Sequence, residues 1–220
     1  ACHTPKSFLG GDEVAHHLQG SNLQGWFAPD ITNDSKTGIG AWSPEQIATY
    51  LKGGHNRISA ATGPMAEEVV DSTSKLSDSD LMAMAIYLKS LPGRNSSGEA
   101  IPKEDPQMVA GQAIYRDQCS ACHGLDGKGV AHLFPALADS AVARSDNPAT
   151  AIRLVLRGGR SVATDREPTS PGMSSFDWQL NDKQVAAVLT YIRNAWGHSA
   201  ERIAPDVVKN RRTELRARQD

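Results

Sequence analysis

Two stretches of the chain carry apolar residues at helical spacing behind a polar start signal. Leu81, Met84, Ala85 and Leu88 fall at i, i+3, i+4 and i+7, and so do Val185, Val188, Leu189 and Ile192. Each stretch opens on a capping pair, Ser77 with Asp80 and Asn181 with Gln184, in which a side-chain oxygen takes an orphan N–H of the first turn. Met82 and Met84 lie on the first of these helices and read as core residues. Two further helices are marked by their ends. Ser43-Pro44 with Gln46, and Asn147-Pro148 with Thr150, place a cap residue before a proline at the first helical position. Gly53-Gly54 and Gly158-Gly159 then stop those helices. A fifth helix, "PQMVAGQAIYRDQ" (106–118), contains Met108 as an ordinary apolar residue. The predicted fold class is all-α.

The elements recur in one order, which is the signature of an internal repeat. A Cys-His pair ("ACHTPK", "CSACHG") comes first. A proline-containing loop ("WFAPDITND", "FPALADS"), a helix ending in Gly-Gly, a methionine loop ("TGPMAEE", "SPGMSSF") and a final helix follow. The repeat predicts two tandem domains, 1–92 and 105–198, each long enough for its own core. Segment 93–104, with Pro, Gly and Ser, reads as the linker, and 199–220 as a polar tail of weak amphipathicity.

Composition narrows the chemistry. A formal net charge of −2 and a pI near 6.4 provide no electrostatic case for a nucleic-acid partner. The longest apolar run, "LMAMAIYL" (81–88), falls far short of the roughly 18 residues that span a bilayer. Three cysteines, Cys2, Cys119 and Cys122, are an odd number and argue against a disulfide framework. A chain beginning at Ala1, without Met or signal peptide, reads as a processed product or a fragment.

The motif "CSACH" (119–123) is the attachment signature of a c-type haem. Each cysteine sulfur adds across one vinyl group, and the adjacent histidine binds iron from below. A redox pair would want a βαβ context, and a zinc site a second Cys/His pair of matching spacing; neither is found. An electron-transferring iron needs a second axial ligand, and methionine raises its potential. Met173, flanked by Pro171, Gly172 and Ser174, lies in a loop where a thioether can be aimed at a metal, so His123 and Met173 form the expected axial pair. The repeat then makes His3 and Met65 the axial pair of a first haem. Cys2 is its remaining attachment point, from a motif whose other cysteine would lie two places before Ala1. The expected cofactors are two haems c, the first with an incomplete motif.

Other residues are weighed against these. His55, after a Gly-Gly stop, competes with Met65, but the repeat places Met65 and not His55. His132 is only nine residues past His123, too near to reach the opposite face of the ring. His16, His17 and His198 read as solvated surface residues. Trp42, Trp178 and Trp196 are read as haem contacts or as core aromatics with equal weight. Arg157 and Arg160 are read as propionate partners or as solvated side chains.

Taken with "TGIGAWSPEQIATYLKGG", "GPMAEEV", "LSDSDLMAMAIYLKSLPG", "LVLRGG" and "YIRNAWG", these segments resemble the multihaem cytochrome c subunits of bacterial membrane-associated dehydrogenases. These include the alcohol, aldehyde, gluconate and nicotinate dehydrogenases. The resemblance covers the chain to about residue 198. It implies two tandem cytochrome c-like haem domains, an N-terminal haem domain missing upstream, and a periplasmic electron relay with no catalysis of its own. The implied partners are a dehydrogenase catalytic subunit (pyrroloquinoline quinone, flavin or molybdenum type) as donor and quinone or a terminal oxidase as acceptor. Peripheral membrane association is left open. The competing expectations are a haem enzyme with an open sixth position, of dihaem peroxidase or thiosulfate-oxidising type, and a freestanding dihaem carrier.

Overall fold

The computed structural model describes residues 2–94 and 99–218. Ala1 and residues 95–98 of the expected linker lie outside them. The N-terminal half begins with loops and a short antiparallel ribbon, β1 (Ser21–Leu23) and β2 (Trp26–Ala28), in which Asn22 faces Phe27. The helices α1 (Pro44–Gly53), α2 (Pro64–Asp71) and α3 (Asp78–Ser90) follow. The C-terminal half runs α4 (Pro106–Gln118), α5 (Ser120–His123), α6 (Ala141–Arg144) and α7 (Ala149–Arg157). A two-residue ribbon comes next, β3 (Gly159–Arg160) with β4 (Gly172–Met173), and then α8 (Asp182–Ile192) and α9 (Pro205–Arg216). The chain is mostly helical, as the periodicity predicts.

Local chemistry sets most of the helix ends. Ser43 with Gln46 and Asn181 with Gln184 form complete capping boxes on α1 and α8. At α3 the Ser77 hydroxyl accepts from the Asp80 N–H but donates to the Asp80 carboxylate, so the box is not reciprocal. Thr150 lies in the first turn of α7 as expected but takes no part in a cap. Its hydroxyl donates to the Phe27 carbonyl (2.9 Å) and accepts the Phe27 N–H (2.8 Å), tying α7 to β2. Pro148 itself takes the cap position of α7, one residue later than expected, and Asn147 before it accepts the Ala149 N–H at 3.0 Å.

The C-terminal core is the larger. α4 crosses α8 closely because Gly111 has no side chain: a Cβ there would lie 2.1 Å from the Ala187 carbonyl oxygen. Leu156, Val185, Val188 and Leu189 fill the space beneath. Residues 199–220, expected as a polar tail, instead contribute α9. Val208 and Leu215 are fully buried against α7 and α8, and Arg212 bonds Asp177 and Asp182. Two buried apolar residues are too few to stand out as a stripe in a charged helix, yet enough to dock it. In the N-terminal half α1 packs on α3 over Trp42, Ile47, Leu51 and Leu81. Met84, read as core, is exposed on the outer face of α3 beside Ile86 and Tyr87.

The halves are joined by more than the linker. The Arg153 guanidinium lies 4.4 Å from the centre of the Trp26 ring. Val162 closes a small cluster with Ala61 and Val69, and the Ala136 N–H donates to the Ile58 carbonyl (3.0 Å). Arg94 bonds Asp30 (3.1 Å) and reaches Asp146 (3.5 Å).

Candidate functional site

Cys119 ends α4 and Cys122 and His123 lie in the single turn of α5, so the five-residue motif is wound as one helical turn. All three cysteines are free; Cys2 and Cys122 are exposed and Cys119 is half-buried. Burial, and then the neighbouring Cys122, push the Cys119 thiol up to about 11. It is protonated at neutral pH, the opposite of the lowered thiol that a redox pair uses.

His123 Nδ1 lies 3.0 Å from the Pro135 carbonyl oxygen and His3 Nδ1 lies 2.7 Å from that of Pro29. A carbonyl only accepts, so both rings carry their proton on Nδ1 and keep the Nε2 lone pair free, the tautomer a metal ligand needs. Burial lowers the pKa of both histidines, keeping them neutral, and opposes the rise that the carbonyl bond brings. The backbones match as well: the His3 carbonyl accepts the Gly20 N–H (2.8 Å) and the His123 carbonyl accepts the Gly129 N–H (2.9 Å). Pro29 and Pro135 were not among the expected functional residues. Their place in the proline loop of each repeat was the signal available.

The two methionines are held differently. Met173 pairs with Gly159 across the β3–β4 ribbon and is half-buried against the C-terminal core, as is Cys119. Gly158, at φ +71°, allows that ribbon: a Cβ there would meet the Met173 carbonyl oxygen at 2.3 Å. Met65 lies in the first turn of α2, half-buried in the cluster of Trp42 and Tyr50. Gly63, at φ +56°, supports the Trp26 ring, which a Cβ would meet at 2.5 Å.

The remaining candidates separate clearly. His55 is buried with Nε2 2.7 Å from the Val162 carbonyl, which places it in the seam between the halves. His198, read as a solvated residue, is buried, with Nε2 2.6 Å from the Ala138 carbonyl and Nδ1 3.2 Å from that of Ile192. The short turn after α8 folds its ring inward beside Trp196. His16 and His17 are exposed, and exposed His132 pairs with Glu167 (3.1 Å). Trp178 is 82% exposed, whereas Trp196 packs against Tyr115 and Tyr191. Arg157 donates to the carbonyls of Leu215 and Arg218, and Arg160 to that of Ser170 (2.8 Å).

These residues fit a covalently held haem in the C-terminal half: two free thiols within one helical turn, a neutral histidine with Nε2 available, and a half-buried thioether. In the N-terminal half one thiol, one such histidine and one thioether are present. Trp42 adds a buried Nε1–H with no hydrogen-bond partner among the described residues, a donor suited to an acceptor on the bound group.

The cytochrome c family profile matches residues 108–196, which include Cys119, Cys122, His123 and Met173. The chain is also 33% identical to cytochrome c-552 of Thermus thermophilus, over 40% of this chain and 68% of that protein. The chain belongs to the cytochrome c family, whose members carry covalently bound haem c. Over nearly its whole length it is similar to cytochrome c subunits of dehydrogenases. It is 36% identical to that of gluconate 2-dehydrogenase from Pantoea cypripedii, over 97% of this chain and 53% of that protein. It is also 36% identical to that of the quinone alcohol dehydrogenase from Gluconobacter oxydans (strain 621H), over 96% and 48%. The chain thus spans about half the length of these two relatives.

Proposed function

We propose that the chain is an electron-relay unit with a c-type haem in each half, working as part of a dehydrogenase complex. The observation that carries this reading is the repeated histidine clamp: each half presents a neutral ring, proton on Nδ1 against a proline carbonyl, with Nε2 free. In the C-terminal half Cys119 and Cys122 would hold the haem through thioether bonds, and His123 and Met173 would ligate its iron. In the N-terminal half Cys2 would be the attachment point, and His3 and Met65 would ligate the iron. Haem c supplies one-electron redox chemistry at its iron. The protein's part is to hold the ligand set unchanged between redox states and to surround it with apolar side chains that tune the potential. The names of the relatives support a dehydrogenase catalytic subunit as donor. The proposed subunit is of pyrroloquinoline quinone, flavin or molybdenum type. Quinone or a terminal oxidase is the proposed acceptor, in the periplasm. Among the described residues no helix is long and apolar enough to cross a membrane.

Ligation by methionine tests the relay directly. The ferric chain is expected to show the weak far-red charge-transfer band of methionine–iron(III) coordination. Met173→Ala and Met65→Ala should each remove part of it and lower one midpoint potential. A wild-type chain that lacks the band and binds cyanide readily would have an open sixth position and would be a haem enzyme.

A further inference from the structure

The electron relay leaves His55 without a role, although its ring is only 1% exposed. A carbonyl only accepts, so the 2.7 Å contact with the Val162 carbonyl puts the proton of His55 on Nε2. His3 and His123 keep that nitrogen free, whereas His55 spends it on the backbone of the other half. Val162 is tied a second time, its N–H donating to the Ala61 carbonyl (3.1 Å). Thr164 adds a third tie, its hydroxyl donating to the Gly53 carbonyl (3.2 Å). Both residues belong to the connection between β3 and β4, the ribbon that carries Met173. Between Val162 and Met173 the two sides of that ribbon are laced together. The Ser161 N–H donates to the Pro171 carbonyl (3.0 Å), Arg160 pairs with Gly172, and Gly159 pairs with Met173.

The same segment of the N-terminal half also reaches the support of His123. Residues 54–61 are folded on themselves by the Ala61 N–H, which donates to the Gly54 carbonyl (2.7 Å). The Asn56 side-chain oxygen holds the turn further, accepting the N–H groups of Ile58 and Ser59 (2.7 Å each). The Ile58 carbonyl then accepts the N–H of Ala136, directly after Pro135, whose own carbonyl orients His123. One segment of the N-terminal half thus grips the supports of both residues expected on the iron of the other half. We infer, resting on the relay reading, that segment 53–61 sets the axial geometry of the C-terminal haem from outside its own half, with His55 as the positioning residue for Met173. Groups that hold a ligand's carrier in place tune the metal as the ligand itself does. Removing the His55 N–H takes the donor from the carbonyl of Val162, itself only 6% exposed. The unpaired carbonyl favours movement of the ribbon toward another donor, and Met173 moves with it.

His55→Leu and His55→Gln, each made in the haem-loaded chain that also carries Met65→Ala, test this. The far-red methionine–iron(III) band that remains there reports Met173 alone. Leucine fills the space without donating, and glutamine restores a side-chain N–H. His55→Leu is expected to lose about half or more of the band and to lower the midpoint potential of the C-terminal haem, and His55→Gln to restore both. Thr164→Val removes the third tie at a half-buried position. It should weaken the band in the same direction, and it serves if His55→Leu does not fold. An unchanged band and potential in His55→Leu, or in Thr164→Val where that variant stands in for it, overturns the inference and leaves the relay intact. A His55→Gln chain as impaired as His55→Leu overturns it too. A Met65→Ala chain with no far-red band before His55 is changed overturns Met173 as the ligand, and the role of His55 with it.

Discussion

The repeat's sequence segments recur in one order in the two halves, yet the halves use the glycine at the end of the Gly-Gly helix for different purposes. Gly158 lies against the Met173 carbonyl and so belongs to the loop that presents the methionine. Its counterpart Gly54, at φ +75°, faces Val162 from the other half, and a Cβ there would fall 1.9 Å from the Val162 side chain. The final helices differ likewise. α8 lies under α4 and α9, whereas α3 packs chiefly on α1 and leaves Met84, Ile86 and Tyr87 exposed. What stays the same is the clamp on the histidine. A repeat therefore keeps the geometry around its motif while its outer surfaces adapt to what each half packs against.

The largest expected effect breaks the comparison at the cysteines. Replacing Cys119 and Cys122 by serine should abolish covalent haem in the C-terminal half, read by haem staining of denaturing gels. Cys2→Ser should alter haem attachment only in the N-terminal half, read in the same way. Loss of haem from both halves after either change would show that the two sites are not independent.

A smaller effect sharpens the glycine contrast. Gly54→Ala should destabilise the chain by about 1–3 kcal/mol through overpacking against Val162, and the further change Val162→Ala should restore part of this in denaturant unfolding. Gly158→Ala meets backbone rather than a side chain, so no single second substitution should rescue it. Full rescue at Gly158 would show that the ribbon holding Met173 can shift.

The smallest effect concerns α4, the helix over α8. The Arg202 guanidinium, and then the N–H groups of Gln107 and Met108, hold the Asp105 carboxyl down at about 2, against roughly 3.9 for an unfolded aspartate. A folded pKa below the unfolded one adds stability above about pH 4, and this is lost as the pH falls from about 4 toward 2. Asp105→Asn keeps a residue able to cap α4 and removes the charge. It should flatten that part of the acid-unfolding curve only slightly, because the ion pair is solvated. A steep loss at neutral pH would mean that the pair carries more of the α4–α8 packing than its exposure implies.

Much of the fold was legible locally. The capping boxes of α1 and α8 depend on residues three apart, and the glycine stops on a single backbone conformation, so short windows of sequence reveal them. The motif at 119–123 was legible for the same reason, since thioether attachment needs two cysteines with two residues between them and a histidine next to the second. The roles of Thr150, His55 and Val162 were not legible, because each is decided by a partner more than a hundred residues away. His198 and α9 were misread because their burial depends on a turn and a docking surface made by other segments.

The chain's own order of residues thus determined the helical class, the repeat and which cysteines, histidines and methionines could serve a haem, since those are matters of spacing along one strand of chain. Only the tertiary structure decided that Pro29 and Pro135 orient the histidines, that α9 joins the core, and that His55 is buried against the Val162 carbonyl in the seam between the halves. Hydrogen bonds and desolvation depend on distance in space, and the neighbours they involve are far apart in sequence.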